Sequence, residues 1–332
     1  MTPLRSFRKA AGYTGRSDER TVEMAVRVGG VELPNPVMLA SGTAGHGAEL
    51  SKYIDLSRLG AVVVKSLSPD PWAGNPAPRV TEVGTGILNS VGLQNPGVEV
   101  WRTDELPDLL ATGARVVASI WGFTVDDYAN AAKLLADLPS QVVAVECNVS
   151  CPNVEDRRRM FAHSATATAE VVAAAKQGLD GSRPLWAKLS PNVTDLTEIA
   201  AAATDAGADA VTLINTVMGM AIDPDSRKHR LGSGPNGGGL SGPAIHPVAV
   251  RAVFDCRAAL PGPTSIIGVG GVTTGEDAAE LMLAGANAIQ VGTATFADPR
   301  AGLRILDQLQ RWCRRHDIHR IADLTGAVHG RP

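Results

Sequence analysis

Eight short apolar runs recur along this chain, and their spacing limits what it can fold into. They are Val37–Ala40, Ala61–Lys65, Val116–Ile120, Val142–Asn148, Leu185–Leu189, Ala210–Ile214, Ser265–Val269 and Ala288–Val291. All are strand-length and nearly unbroken in apolar residues, the pattern of parallel strands buried on both faces. Between them lie helical patterns at Val125–Leu138, Ala165–Gln177, Leu196–Ala206, Ile245–Ala259 and Glu276–Ala284. Arg300–Arg315 follows the last strand, and the short Ala48–Leu59 segment supplies the first helix. Gly60-Ala61, Gly113-Ala114, Gly207-Ala208 and Gly285-Ala286 precede strands and fit helix C-caps. Eight βα units in 332 residues, with no second compositional block, predict an α/β fold of the (β/α)8 TIM barrel type. A doubly wound sheet is the runner-up. Val26–Val28 and Val31–Leu33, joined by Gly29-Gly30, predict an N-terminal β-hairpin closing the bottom of the barrel. Residues 1–23 read as a loosely ordered basic extension and 24–332 as a single catalytic domain.

Composition narrows the function. A net charge of −3 gives no support for nucleic acid or an anionic membrane as a partner. Cys147, Cys151, Cys256 and Cys313 form no zinc-ligand pattern, so no metal site is expected. Neither a secretory segment nor an 18-residue apolar run is present, and a reduced cytoplasmic protein is the default.

Two connections, Ser66–Asp104 and Asn215–Ala244, are longer than βα loops need to be. Both follow strand C-termini, the rim where barrels carry their chemistry. Ser66–Asp104 should contain a hairpin, Arg79–Val83 with Gly86–Asn89. The rim also receives Ser41-Gly42, Lys65-Ser66, Trp121, Asn148 through Asn153, Lys188-Leu189-Ser190, Asn215-Thr216, Gly270-Gly271 and Gly292-Thr293. Lysines at strand ends inside a barrel mouth must meet an anion. Glycines at the last two strand ends let backbone approach a phosphate. Gly268-Val269-Gly270 is no dinucleotide fingerprint, because Thr273 stands at the third glycine position. Cys151 has three readings: an inert thiol, a nucleophile whose only nearby histidine is His163, or a general base for a carbon-bound proton. Asn89, Asn148, Asn153 and Asn215 suit a planar amide-bearing ligand such as a pyrimidine. A non-redox phosphate-binding barrel stays open at this point.

Several segments together resemble a known family. They are Val64-Lys65-Ser66, Asn89 through Gly97, Asn148-Val149-Ser150-Cys151-Pro152-Asn153, Asn215-Thr216, Gly219-Met220-Ala221-Ile222-Asp223, Gly238 through Ala244, and the two glycine ends. They resemble the class 1 dihydroorotate dehydrogenases, type B catalytic subunit, over roughly Val26 to Gly326. The cysteine at 151 is similar to class 1, whereas the membrane-bound class carries serine there. The resemblance implies an FMN enzyme of pyrimidine biosynthesis, a flavoprotein oxidoreductase taking (S)-dihydroorotate to orotate with Cys151 as base. A related flavoenzyme acting on uracil or thymine is the alternative. FMN contacts would be Ser41, Lys65, Ser66, Asn148, Lys188, Ile214, Gly242, Gly270, Gly271, Gly292 and Thr293. Substrate contacts would be Lys65, Asn89, Ser90, Val91, Gly92, Leu93, Asn148, Asn153, Asn215 and Thr216. Lys188 would stabilise the anionic reduced flavin. The resemblance also implies a homodimer, and a heterotetramer with a partner subunit carrying FAD and an iron–sulfur cluster, linked to NAD; four scattered cysteines cannot hold that cluster. Departures from the family are the basic segment Arg157-Arg158-Arg159 after Asn153, a longer loop at Leu231–Gly239, and the N-terminal extension.

Overall fold

A computed structural model describes residues 21–150 and 161–330. Its centre is a closed barrel of strands β1 (Val37–Leu39), β2 (Ala61–Val63), β3 (Val116–Ile120), β4 (Val142–Asn148), β5 (Leu185–Lys188), β6 (Ala210–Leu213), β7 (Ser265–Val269) and β8 (Ala288–Val291). Each strand pairs in parallel with its sequence neighbours, and β8 closes on β1 through Ile289 opposite Val37. The barrel is thus singly wound, and the doubly wound alternative falls. Nearly every strand residue is buried, which explains the continuous apolar runs.

The helices form because local chemistry starts them and the barrel buries one face. Thr124 and Thr274 accept hydrogen bonds from the N–H groups of Asp127 and Asp277, whose carboxylates bond back to the cap residues. Ser164 caps Ala165–Leu179 and Asp195 caps Leu196–Asp205. Small residues let the helices pack closely: a Cβ on Gly178 would lie 2.5 Å from the Ala129 carbonyl oxygen.

Two local expectations change. Ala48–Leu59 is two 3-10 turns, Glu49–Lys52 and Leu56–Arg58, rather than a helix. Asp55 captures the Ser57 N–H and so competes with a continuous ladder. The first long connection, where no helical pattern was expected, carries a helix that begins at Val98–Val100. It passes through a π turn, Trp101–Glu105, before Leu106–Ala111. Pro107, which has no N–H, sits beside that irregularity.

The expected hairpin Val80–Val83/Gly86–Asn89 forms, and it belongs to a larger unit. Both long connections build one four-stranded antiparallel sheet, ordered Val217–Gly219, Gly238–Ser241, Gly86–Asn89, Val80–Val83. At the opposite end the hairpin Val26–Val28/Val31–Leu33 covers the barrel bottom. There the Gly29 N–H donates to Ser265 Oγ at 2.9 Å. Gly29 has φ +50° and leaves no room for a Cβ, which would meet Trp186 Nε1 at 2.8 Å.

Candidate active site

The C-terminal ends of the strands and the four-stranded rim sheet enclose a cavity of about 380 Å³. This is the size of a small-ligand pocket. The candidate residues within the described segments all line it: Ser41, Lys65, Ser66, Asn89 through Leu93, Asn148, Lys188, Ile214, Asn215, Thr216, Gly242, Gly270, Gly271, Gly292 and Thr293. Cys151, Asn153 and the Arg157–Arg159 segment lie outside the described residues. Trp121 does not reach the cavity. Its ring is buried edge-on against Phe123, with centroids 4.8 Å apart, and against Trp72 at 6.4 Å.

Strand ends position the polar floor. Ser66, just past β2, lies 2.9 Å from Ser119 Oγ on β3 and 3.3 Å from Ser41 Oγ past β1. Asn148 ends β4 and donates from Nδ2 to Ser66 Oγ at 3.3 Å. Its Oδ1 accepts from Asn215 Nδ2 at 3.1 Å and from the Ser150 N–H at 3.3 Å. The Tyr128 hydroxyl donates to the Asn148 carbonyl at 2.7 Å, which fixes this residue from the helix layer. The amides are thereby locked in orientation before any ligand arrives.

Among the described lining residues, Lys65 and Lys188 are the only charged side chains. Lys188 is buried, and its Nζ lies 3.8 Å from Oε1 of Glu146, which is fully buried within β4. Glu146 Oε2 accepts from Gln290 Nε2 at 2.8 Å and from Thr212 Oγ1 at 3.1 Å. The anion that Lys188 requires therefore comes in part from the chain itself. Sequence reasoning assigned no role to Glu146; the available signal was a carboxylate between Val145 and Cys147 in an otherwise apolar strand. Near Lys65, burial first and the Lys65 charge second hold the His46 imidazole down at about pKa 4, against an opposing pull from Glu49. His46 is neutral at physiological pH.

The glycine ends meet the expectation of backbone at close quarters. Gly270 and Gly271 have φ of +144° and +67°. A Cβ on Gly271 would lie 2.7 Å from His246 Cβ and 2.8 Å from the Gly242 carbonyl oxygen. His246 Nδ1 stands 2.8 Å from the Gly270 carbonyl; a carbonyl only accepts, so Nδ1 carries the proton. Asn192, which the sequence reading did not single out, also lines the cavity, beside the rim residue Ser190. Their motif, Ser190-Pro191-Asn192, carries no signal beyond its place after β5.

Two ammonium groups, fixed amides and hydroxyls, glycine strand ends and no lining carboxylate among the described residues suit a planar, anionic, phosphate-bearing ligand. Comparisons agree with that chemistry. The dihydroorotate dehydrogenase family profile matches residues 23–312. The catalytic subunit of dihydroorotate dehydrogenase B (NAD+) from Pelobacter propionicus is 46% identical over 306 residues, covering 92% of this chain and 98% of that protein. The protein of the same name from Alkaliphilus oremlandii is 46% identical over 305 residues, with the same two coverages of 92% and 98%. A Solibacter usitatus protein, provisionally named as the fumarate-linked A type, is 46% identical over 308 residues, covering 93% and 99%. In fold, the chain is similar to a dihydroorotate dehydrogenase from Eimeria tenella solved with ferulenol. That TM-score is 0.76 at 24% identity, over 96% of this chain and 92% of that one. With a profile match spanning the whole barrel and relatives at this identity over nine-tenths of its length, the chain belongs to the dihydroorotate dehydrogenase family.

Proposed function

We propose that this chain oxidises (S)-dihydroorotate to orotate on a bound FMN, as the catalytic subunit of a type B enzyme. The observation that carries the reading is the cavity floor. Lys65 and Lys188 are its only charged groups among the described lining residues, set between fixed asparagines and glycine strand ends. FMN, when bound, supplies the hydride acceptor at N5. The backbone at Gly270, Gly271, Gly292 and Thr293 would hold its phosphate, with Gly242 beside it. Ser41, Lys65, Ser66, Asn148, Lys188 and Ile214 would hold the ring system.

The other steps belong to side chains. Asn89, Asn148, Asn215 and Thr216, with Asn153 by its place in the motif, would present donors and acceptors to the dihydropyrimidine edge, beside the Ser90–Leu93 loop. Lys65 meets the substrate carboxylate. Lys188, backed by Glu146, would place positive charge beside the ring system and so favour a reduced, anionic form. Cys151 takes the proton from C5 while hydride leaves C6; that role rests on its place in the Asn148–Asn153 motif. A partner subunit carrying FAD and an iron–sulfur cluster would take the electrons onward, around a homodimer of this chain. Among the described residues no helix is long and apolar enough to cross a membrane.

Anaerobic mixing of the yellow protein with dihydroorotate tests the reading: the flavin absorbance should bleach within a turnover. A colourless protein that binds no FMN would refute it. Bleaching by dihydrouracil but not by dihydroorotate would move the substrate to another pyrimidine. Adding NAD with and without a candidate partner tests the acceptor.

A further inference from the structure

We propose that Asn192 is a positioning residue that sets the height of the substrate-binding rim sheet over the cavity floor. The inference rests on the reading of Asn89–Leu93 and Asn215–Thr216 as the dihydroorotate surface. Asn192 lies on the cavity wall beyond β5, and its carboxamide bridges barrel and sheet. Nδ2 donates to Ser190 Oγ at 2.8 Å and to the Thr216 carbonyl at 3.0 Å. Oδ1 accepts the Met218 N–H at 2.8 Å. The orientation is unambiguous, because a flipped amide would face oxygen to the Thr216 carbonyl and N–H to the Met218 N–H. The Asn192 N–H adds a bond to Ser190 Oγ at 3.2 Å, which anchors the bridge at its barrel end.

Thr216 and Met218 flank the start of the edge strand Val217–Gly219. That strand pairs with Gly238–Ser241, which pairs with Gly86–Asn89. The Asn89 side chain in turn donates to the Gly239 carbonyl at 3.1 Å. Loop and sheet have no slack: a Cβ on Gly239 would fall 2.0 Å from Thr216 Oγ1. Both halves of the substrate surface, far apart in sequence, therefore form one rigid piece. Asn215 is tied to the barrel by its own N–H, which donates to the Leu189 carbonyl at 2.8 Å. Asn192 makes the tie beyond it, at the edge of the sheet. Losing the tie lets the sheet ride up, which loosens substrate while leaving the flavin floor of Ser66, Lys188 and Gly271 in place.

The test uses the FMN-loaded protein with Asn192→Ala and, separately, Ser190→Ala, which removes the barrel-side anchor. Asn192→Ala should raise KM for dihydroorotate and the orotate dissociation constant by about tenfold, equivalent to roughly 1.4 kcal/mol. The kcat should stay within about threefold, with FMN content and the free-enzyme flavin spectrum unchanged. Ser190→Ala should shift KM in the same direction by less. The double variant should fall short of the product of the two effects, since both remove one bridge. Should Asn192→Ala not fold, an unchanged KM in Ser190→Ala alone overturns the proposal. An unchanged KM in a folded, FMN-loaded Asn192→Ala overturns it, as does an equal loss of FMN affinity. Those results leave the dihydroorotate reading standing. A wild-type flavin that dihydroorotate does not bleach defeats that reading and this proposal together.

Discussion

Glu146 Oε1 faces Lys188 Nζ at 3.8 Å inside the barrel, and among the described residues no hydrogen-bond donor reaches that oxygen. The carboxylate's other oxygen already holds Gln290 and Thr212. The lysine is therefore balanced by the charge of this carboxylate without being clamped to it by a hydrogen bond, which lets its head meet a ligand from above. Breaking a buried pair on one side leaves the other charge uncompensated. Lys188→Met should destabilise the flavin-free protein by about 3 kcal/mol. Adding Glu146→Gln to that variant should restore most of the loss. Urea unfolding of the three proteins measures both effects, and a double variant no more stable than Lys188→Met would contradict the pairing.

His46 makes stability depend on pH. Burial and Lys65 lower its pKa from 6.5 to about 4 in the folded protein. Between those values the unfolded chain binds the proton and the folded chain does not. Stability from this group is therefore full above pH 6.5 and is lost as pH falls toward 4. The loss should reach about 2 kcal/mol once partial solvent screening is allowed for. His46→Gln should flatten this part of the profile in urea titrations at pH 4.5 and pH 7, and an unchanged slope would exclude His46 as its source.

Gly271 tests the phosphate end. Its φ of +67° and the crowding by His246 and Gly242 leave no room for a side chain. Gly271→Ala should cost about 1–2 kcal/mol in backbone strain alone. It should also weaken FMN binding by about tenfold or more, read from quenching of FMN fluorescence on titration into apoprotein. Wild-type FMN affinity in this variant would remove the glycine turn from the cofactor site.

Burial closes off the thiols among the described residues. Cys147, Cys256 and Cys313 are all buried. Burial pushes Cys256 up to about 12 and Cys313 up to about 11. Thiols held protonated and out of solvent should resist alkylation. Iodoacetamide at neutral pH should therefore leave Cys147, Cys256 and Cys313 unmodified in the folded protein. Mass spectrometry showing rapid labelling of these three would contradict the burial. Cys151→Ser should reduce flavin with dihydroorotate far more slowly near pH 7 and recover partly at higher pH, because serine is a much weaker base; an unchanged rate would remove Cys151 from the mechanism.

How much was legible in the chain follows from the range of the interactions involved. Strand positions, the hairpin and the rim glycines came from local patterns: valine runs buried on both faces, and turns that only glycine permits. Lys65, Lys188, Asn148 and Asn215 could be placed on the rim because each stands at the end of a run. The Ala48–Leu59 helix was misread, since a single side-chain bond at Asp55 overrides periodicity there, and the helix starting at Val98 was missed inside a connection rich in proline and glycine. The Glu146–Lys188 pair and the Asn192 bridge were invisible. Each joins residues whose proximity depends on barrel closure or on the folding back of a long insertion, and no local pattern encodes that contact. The amino-acid order by itself determined a parallel barrel with a polar, cationic rim. Only the tertiary structure decided that two distant insertions share one sheet, that a carboxylate sits beneath the lysine, and that an asparagine ties sheet to barrel. The physical reason is that backbone preference and hydrophobic alternation act over a few residues, whereas charge pairing and hydrogen bonding select partners by distance in space.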